Sequence, residues 1–353
     1  MRRNIVRPTI KEVAAMARVS TQTVSRVIND SLNVSQETRI RVQDAIEKLG
    51  YRPSALARSL IRRRSHTLGV VTAGLNHIGP SRTLNGITVA AKAAGYALLL
   101  NELPRFDSND NEPIFQALVS HHVDGIIWAV QEVGENRRWM NNLALDSEIP
   151  IVHLTMEPRE NVSIVLIDSY LGSCMAMTHL LDQGYRHIGY ISGPLAWWEA
   201  RQRMKAWKDA LEEAGIGFHD NFWVEGNWSS ASGARAAGKL FEQYPEMDSI
   251  LVANDQMALG AMQVAHQKEL RIPEDVGIVG FDNIPESAFF WPPLTTVNHD
   301  QYNLGKVAVE EIIKIIESGW DGLDPISPKS ITLEPTLVVR DSSLRLKVFE
   351  QKR

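Results

Sequence analysis

The 353-residue sequence contains one cysteine, Cys174, so no internal disulfide is possible and nothing calls for an oxidising compartment. Flanked by Met175 and Met177 in an apolar helical stretch, Cys174 reads as a small core residue. Long apolar runs are missing as well, and none approaches the length needed to cross a bilayer. The opening MRRNIVRPTIKEVAAMARVS is positively charged but lacks the continuous apolar stretch of a secretion signal. A cytoplasmic protein without a membrane partner is expected. Common catalytic motifs are absent too: there is no P-loop, no GxSxG, no metal-ligand cluster and no GxGxxG behind the first candidate strand. Neither catalysis nor a metal or cofactor is expected. The pair His121-His122, just ahead of Val123-Asp124-Gly125, reads as the end of a surface helix.

What is present is unevenly distributed. Residues 1–66 hold 14 Lys/Arg against 5 Asp/Glu, a net of +9, while residues 67–353 hold 23 against 37, a net of −14. A small basic head on an acidic body points to a polyanionic partner for the head alone. The length suggests two or three domains.

In the head, Thr9 with Glu12 three residues later forms a capping-box pattern, and Ile10, Val13, Ala14 and Ala17 mark one helical face. A break at Arg18-Val19-Ser20 leads to a second helix from Thr21 to about Ile28. A third starts at Ser35 and stops at Gly50. Three short helices with a three-residue break between the first two follow the helix-turn-helix plan. In that plan Thr21, Gln22 and Arg26 face base edges in the major groove of double-stranded DNA. Gln22 is suited to adenine and Arg26 to guanine. Thr9, Ser20, Thr23, Ser25, Asn29 and Ser35 are short polar residues suited to phosphate contacts. A solvated helix face is the alternative, more so for Thr23 and Ser25 than for Arg26.

The segment YRPSALARSL, residues 51–60, predicts a helix of about two turns capped by Ser54, too short to be stable alone. Leu56 and Leu60 share a face, with small residues such as Ala57 permitting close approach, so an apolar side chain here can wedge into a minor groove. The alternative is a cleavable basic linker.

TIKEVAAMARVSTQTVSRVIND followed by GYRPSALARSL resembles the DNA-binding head and hinge of the LacI/GalR family. The resemblance places Leu60 on the minor-groove lever, Ala57 beside it, and Thr21, Gln22 and Arg26 on the base-reading positions.

From Thr67 onward, near-continuous apolar strand candidates alternate with helical stretches, implying parallel, doubly wound sheets. The strand candidates are 67–73, 96–100, 125–130, 151–154, 187–192, 249–253 and 276–280, with a last one inside ITLEPTLVVRDS. Ligands in such sheets bind at the carboxyl ends of strands. This region also resembles the family, whose core is periplasmic-binding-protein-like with two lobes around a cleft; VEGNWSSASG, ILVANDQMALGAM and VGIVGFDN match best. The resemblance implies effector-contacting roles for Arg203, Trp228, Asn254 and Asp282. It extends them to Ala73, His77, Thr155, Trp198 and His299, among which Ala73, Thr155, Trp198 and His299 depart in residue type. Read as residues, Arg203 and Asp282 offer charged hydrogen bonds, Asn254 both a donor and an acceptor, and Trp228 a flat apolar face for a sugar ring. Local alternatives are open for each: helix capping for Asn254 and Asp255, core for Trp228, a turn for Asp282 and a solvated face for Arg203. Trp197 and Trp198 either extend an aromatic platform for a disaccharide or aryl glycoside or cover the core.

The expected fold is an all-α helix-turn-helix head plus an α/β two-lobed core. The head spans residues 1–52 and the hinge 53–65. The core spans 66–345, with lobe 1 at about 66–166 and 300–327 and lobe 2 at about 167–299 and 328–345. The tail, 346–353, lacks the heptads of a tetramerising coil, so a homodimer is expected. The expected function is a repressor of carbohydrate-utilisation genes relieved by a sugar or glycoside. The alternatives are a regulator answering to a purine or other metabolite as corepressor, and a sugar-binding receptor, which would have a secretion signal and no basic head.

Overall fold

A computed structural model describes residues 8–28, 33–51, 64–106, 111–133, 149–320 and 326–345. The chain divides after His66 into two compact units.

In the first unit, helices α1 (Ile10–Ala17), α2 (Thr21–Ile28) and α3 (Gln36–Leu49) start and stop where local chemistry dictates. Glu12 N–H donates to Thr9 Oγ1 at 3.4 Å while Thr9 N–H donates to a Glu12 oxygen at 2.6 Å, closing the capping box. Gly50 ends α3 in the left-handed conformation, φ 60°, which favours glycine. Val13, Ala14, Ala17, Val24, Val27, Val42 and Ala45 form the buried core that holds the three helices together.

The second unit contains two six-stranded sheets. The first lobe is built from β1 (Thr67–Ala73), α4 (Ile78–Ala93), β2 (Ala97–Leu103), α5 (Asn111–Ser120), β3 (Gly125–Ala129), β4 (Ile151–Leu154) and β5 (Ser163–Ile167). The second runs through α6 (Ser169–Asp182), β6 (Ile188–Ser192), α7 (Trp198–Glu213), β7 (Trp223–Glu225), α8 (Ser230–Gln243), β8 (Ser249–Val252), α9 (Asp255–Gln267), β9 (Gly277–Phe281) and β10 (Thr295–Asn298). The chain then returns to the first lobe with α10 (Gln301–Trp320) and β11 (Ser330–Leu333), and closes on the second with β12 (Thr336–Val338). The strand orders are β11-β5-β4-β3-β1-β2 and β12-β10-β9-β8-β6-β7. All pairings are parallel except β10 with β12. Strands such as GIIWA and SILV are buried at every position because helices cover both faces.

One expected boundary is corrected. The last crossing lies after Leu333 rather than at 327/328, because Ser330–Leu333 pairs in register with Ile164–Ile167 of the first lobe. Pro335 follows and has no N–H to continue a ladder, so ITLEPTLV is two short strands in two sheets instead of one. Three strands were not among the expected ones: Ser163–Ile167, Trp223–Glu225 and Thr295–Asn298.

In the first lobe, α4 and α10 approach closely at two glycines. A Cβ on Gly86 would sit 2.0 Å from the Tyr302 carbonyl oxygen, and one on Gly305 2.2 Å from that of Thr83. This contact seats the lobe's returning helix, whose first residue, Gln301, lines the cleft described next.

Candidate functional site

Two surfaces answer to the expectations, one in each unit. In the head, Thr21 and Gln22 open α2 and Arg26 lies one turn later, all three exposed, while Val24 and Val27 face the core. Thr23 and Ser25 are half-buried. Three of the expected phosphate-contacting residues are helix caps. Thr9 caps α1, Ser20 Oγ accepts from Thr23 N–H at 3.1 Å, and Ser35 Oγ accepts from Thr38 N–H at 3.4 Å. Their hydroxyls are therefore engaged in satisfying helix N-termini. Asn29, Ala57 and Leu60 lie outside the described residues.

The second surface is a cleft between the two lobes of the core, its empty space about 740 Å³ with the open mouth included. It collects the carboxyl ends of strands from both sheets, as parallel sheets dictate. From the first lobe come His77, Ile78, Leu154 and Thr155; from the second, Trp197, Glu199, Arg203, Trp228, Asn254 and Asp282; at the crossings, His299 and Gln301. Thr155, Trp228 and Asp282 share an uncommon feature: each has positive φ (53°, 71° and 105°) without being glycine. Such strain persists only where surrounding structure over-determines it, and here it turns three side chains into one cavity.

Trp228 is held from two sides. Asn254 Nδ2 donates to its carbonyl at 3.0 Å, and its ring lies so close to Gly193 that a Cβ there would be 2.0 Å from it. Asn254 Oδ1 also caps α9, accepting from Met257 N–H at 2.9 Å, so each polar end of this amide already makes one hydrogen bond within the protein. Asp255 is structural: its carboxylate accepts from Ile284 N–H at 2.8 Å and Thr296 Oγ1 at 2.6 Å. Burial pushes it up to about 8, aided by the negative charge of Asp282.

Arg203 is 5% exposed; its Nη2 lies 4.0 Å from Asp282 Oδ1, and its Nη1 donates to the Ala253 carbonyl. The guanidinium stacks on Phe281 with its carbon 3.7 Å from the ring centroid. Asp282 accepts from Gln301 Nε2 at 3.3 Å, and burial raises its carboxyl to about 6 against the pull of Arg203 and Arg82. His299 is buried, lies 3.3 Å from Ser169 Oγ, and is shifted well below its ordinary value by desolvation and by Arg203. Desolvation likewise lowers His77.

Aromatic rings run along the cleft. Trp197, the N-cap of α7, meets Trp228 at 5.5 Å, Phe106 at 4.6 Å and His77 at 6.5 Å between centroids. Phe106 and His77 belong to the first lobe, so Trp197 reaches across the cleft. Arg82 of α4 also reaches across, donating to the Asp282 carbonyl at 3.3 Å. The lobes are closed on one another.

Residues 9–54 match the family model "Bacterial regulatory proteins, lacI family", and residues 177–343 match "Periplasmic binding protein-like domain". The HTH-type transcriptional repressor PurR of Haemophilus influenzae (strain PittEE) is 33% identical over 337 residues, covering 95% of this chain and 98% of the relative. The ribose operon repressor of Escherichia coli (strain K12) is 31% identical over 336 residues, with 95% and 99% covered. The chain belongs to the lacI family. As a lacI-family protein it is a DNA-binding transcriptional repressor with an effector-binding core, and the relatives named here are repressors rather than enzymes. Solved structures of the family agree in fold. The lac repressor dimer bound to operator and the anti-inducer ONPF superimposes with a TM-score of 0.87 at 28% identity, covering 96% of this chain and all of that one (100%). The CelR–cellobiose complex superimposes with a TM-score of 0.70 at 30% identity, covering 95% and 100%.

The lacI-family cleft brings together seven of the nine residues expected at the effector site: His77, Thr155, Arg203, Trp228, Asn254, Asp282 and His299. Ala73 and Trp198 are corrections. Ala73 is fully buried at the end of β1, and Trp198, although on a second-lobe helix, packs into the same first-lobe core cluster. Trp197 is the N-cap, with extended backbone, and Trp198 the first helical residue, so the two side chains leave the chain in different directions and only the first faces the cavity. Glu199 and Gln301 were not singled out by the sequence. Their signal was weak, since a Glu in a first helical turn and a Gln after a strand are ordinary surface residues.

Proposed function

We propose that this repressor binds, as a homodimer, an operator with twofold pseudosymmetry, and that a neutral sugar or glycoside held in the cleft releases it. The observation carrying the effector assignment is the convergence of Arg203, Asp282 and Trp228 on one enclosed cavity. Charged hydrogen-bonding groups shielded from water beside an aromatic face suit a polyhydroxylated ring. A ligand touching both lobes biases their relative angle, and coupling of this kind is typically worth about 1–3 kcal/mol.

For the homodimer, the second lobe exposes Phe289 (87%), Trp291 (84%) and Leu259 (43%), apolar side chains that a second copy would cover. On DNA, Thr21, Gln22 and Arg26 of each copy would read a major-groove half-site, with Thr23, Ser25 and Asn29 on phosphates and the backbone around the caps Thr9, Ser20 and Ser35 nearby. Leu60, with Ala57 beside it, would enter the minor groove between half-sites.

Gel-shift titration of the full chain on its operator tests the effector reading, with neutral mono- and disaccharides, glycosides and purine bases as candidate ligands. Release of DNA by a carbohydrate is expected. Tighter operator binding on sugar addition would overturn induction, and a response to purines alone would overturn the carbohydrate assignment.

A further inference from the structure

Glu199 is an acidic side chain of the cleft with no role in the reading above. It lies in the first turn of α7, lines the cavity and is 7% exposed. Its Oε2 is fully enclosed and has no hydrogen-bond partner among the described residues. Neither arginine on its own helix is paired with it. Arg201 donates to the carbonyls of Leu195 and Ala196 at 3.0 and 2.8 Å, and Arg203 is committed to Ala253 and Asp282. From the first lobe, Glu132 acts on it electrostatically and is itself ion-paired with Arg159. Burial holds the Glu199 carboxyl at about 7, opposed by a hydrogen bond from its own backbone N–H and by Arg203 and Arg201, with Glu132 adding to the shift.

Gln301 shows the same pattern. Its Nε2 donates to Asp282, while its Oε1 is enclosed and unpartnered. Buried polar atoms in native proteins are nearly always satisfied, and two unsatisfied acceptors on one cavity mark groups that a ligand completes. Two donors on the same cavity, Arg203 Nε and Trp228 Nε1, are likewise enclosed without a partner among the described residues, so the cleft's unmet groups are of both kinds. With Arg203 already balancing Asp282, and the negative charge of Glu132 acting on Glu199, the uncharged acid suits the cleft. It gives one hydrogen bond and accepts another, which is what a sugar hydroxyl offers in return.

We propose that Glu199, with Gln301, forms a second polar wall that binds hydroxyl groups of a neutral polyhydroxylated ligand, Glu199 being a specificity-determining residue. The inference rests on the carbohydrate reading, and its test separates the two. The full chain, as wild type, Glu199→Gln, Glu199→Ala and Gln301→Ala, is titrated calorimetrically with neutral mono- and disaccharides and glycosides, and thermal midpoints report folding. Wild type is expected to bind at least one of these. Glu199→Gln, an isostere of the neutral acid, should stay within about threefold, and Glu199→Ala and Gln301→Ala should weaken by about tenfold or more. Unchanged affinity in Glu199→Ala, or in Gln301→Ala should the former not fold, overturns the inference and leaves the carbohydrate reading standing. Equal losses in Glu199→Gln and Glu199→Ala overturn the neutral-hydroxyl assignment in favour of an ionic contact. No binding of any carbohydrate by wild type overturns the carbohydrate reading and the inference with it.

Discussion

Replacing Glu199 by glutamine should make the repressor more stable at alkaline pH and change little at acidic pH. In the folded protein the carboxyl is raised from 4.5 to about 7, chiefly by burial. The unfolded chain gives up this proton near 4.5, while the folded chain keeps it until about 7. Between those values unfolding therefore releases a proton, so stability falls as pH rises, by about 1.4 kcal/mol per unit. Above the folded value the loss is complete, and over roughly 2.5 units it amounts to about 3 kcal/mol. Glutamine has the shape of the protonated acid and no titration. Asp255 and Asp282, also raised, to about 8 and about 6, add their own falling slope, but they are present in both proteins and cancel in the difference. Denaturant unfolding of wild type and Glu199→Gln at pH 5 and pH 8, without ligand, isolates the effect. The stability difference should grow by up to about 3 kcal/mol between the two conditions in favour of the variant. Parallel pH profiles would show that Glu199 is solvated or paired in solution, and would refute the reasoning.

Arg26→Ala should cost about 1–3 kcal/mol of operator affinity and relax preference at one base pair, read by gel shifts on singly substituted operators. Leu60→Ala should weaken operator binding while leaving nonspecific, salt-dependent binding nearly intact; equal operator affinity would remove the lever from the proposal. Trp198→Ala should destabilise the core by about 3–5 kcal/mol, as burial in the first-lobe cluster demands, and should loosen the contact between lobes. Thermal unfolding checks the first effect and small-angle scattering the second. Gly193→Ala should displace the Trp228 ring and weaken ligand binding in calorimetry, with the secondary structure retained in far-UV circular dichroism, because the added methyl occupies the ring's place.

The head was legible almost to the residue because its boundaries are set by chemistry within a few positions. Thr9 with Glu12, Ser20 with Thr23, Ser35 with Thr38, and Gly50 each settle a helix end without help from distant chain. Strands buried on both faces were legible for a similar reason: an apolar run bounded by polar residues has few other uses. Short strands such as Trp223–Glu225 and Thr295–Asn298 were not, since too few residues carry the pattern and their pairing partners decide them. The topological rule that ligands bind at the carboxyl ends of parallel strands, together with the family resemblance, brought most of the cleft into view beforehand.

By itself, then, the sequence determined that a basic three-helix head precedes an α/β core, and which strand ends face a common cavity. Tertiary structure alone decided three things. It sent Ser330–Leu333 to one sheet and Thr336–Val338 to the other, because hydrogen-bonding partners far along the chain choose the edge. It put Trp197 in the cavity and Trp198 in the opposite lobe's core, because the backbone turns from extended to helical between them and the two lobes meet at that point. It also made an ordinary-looking Glu199 into an enclosed acid, because burial depends on what the other lobe lays over it, and no local pattern encodes that.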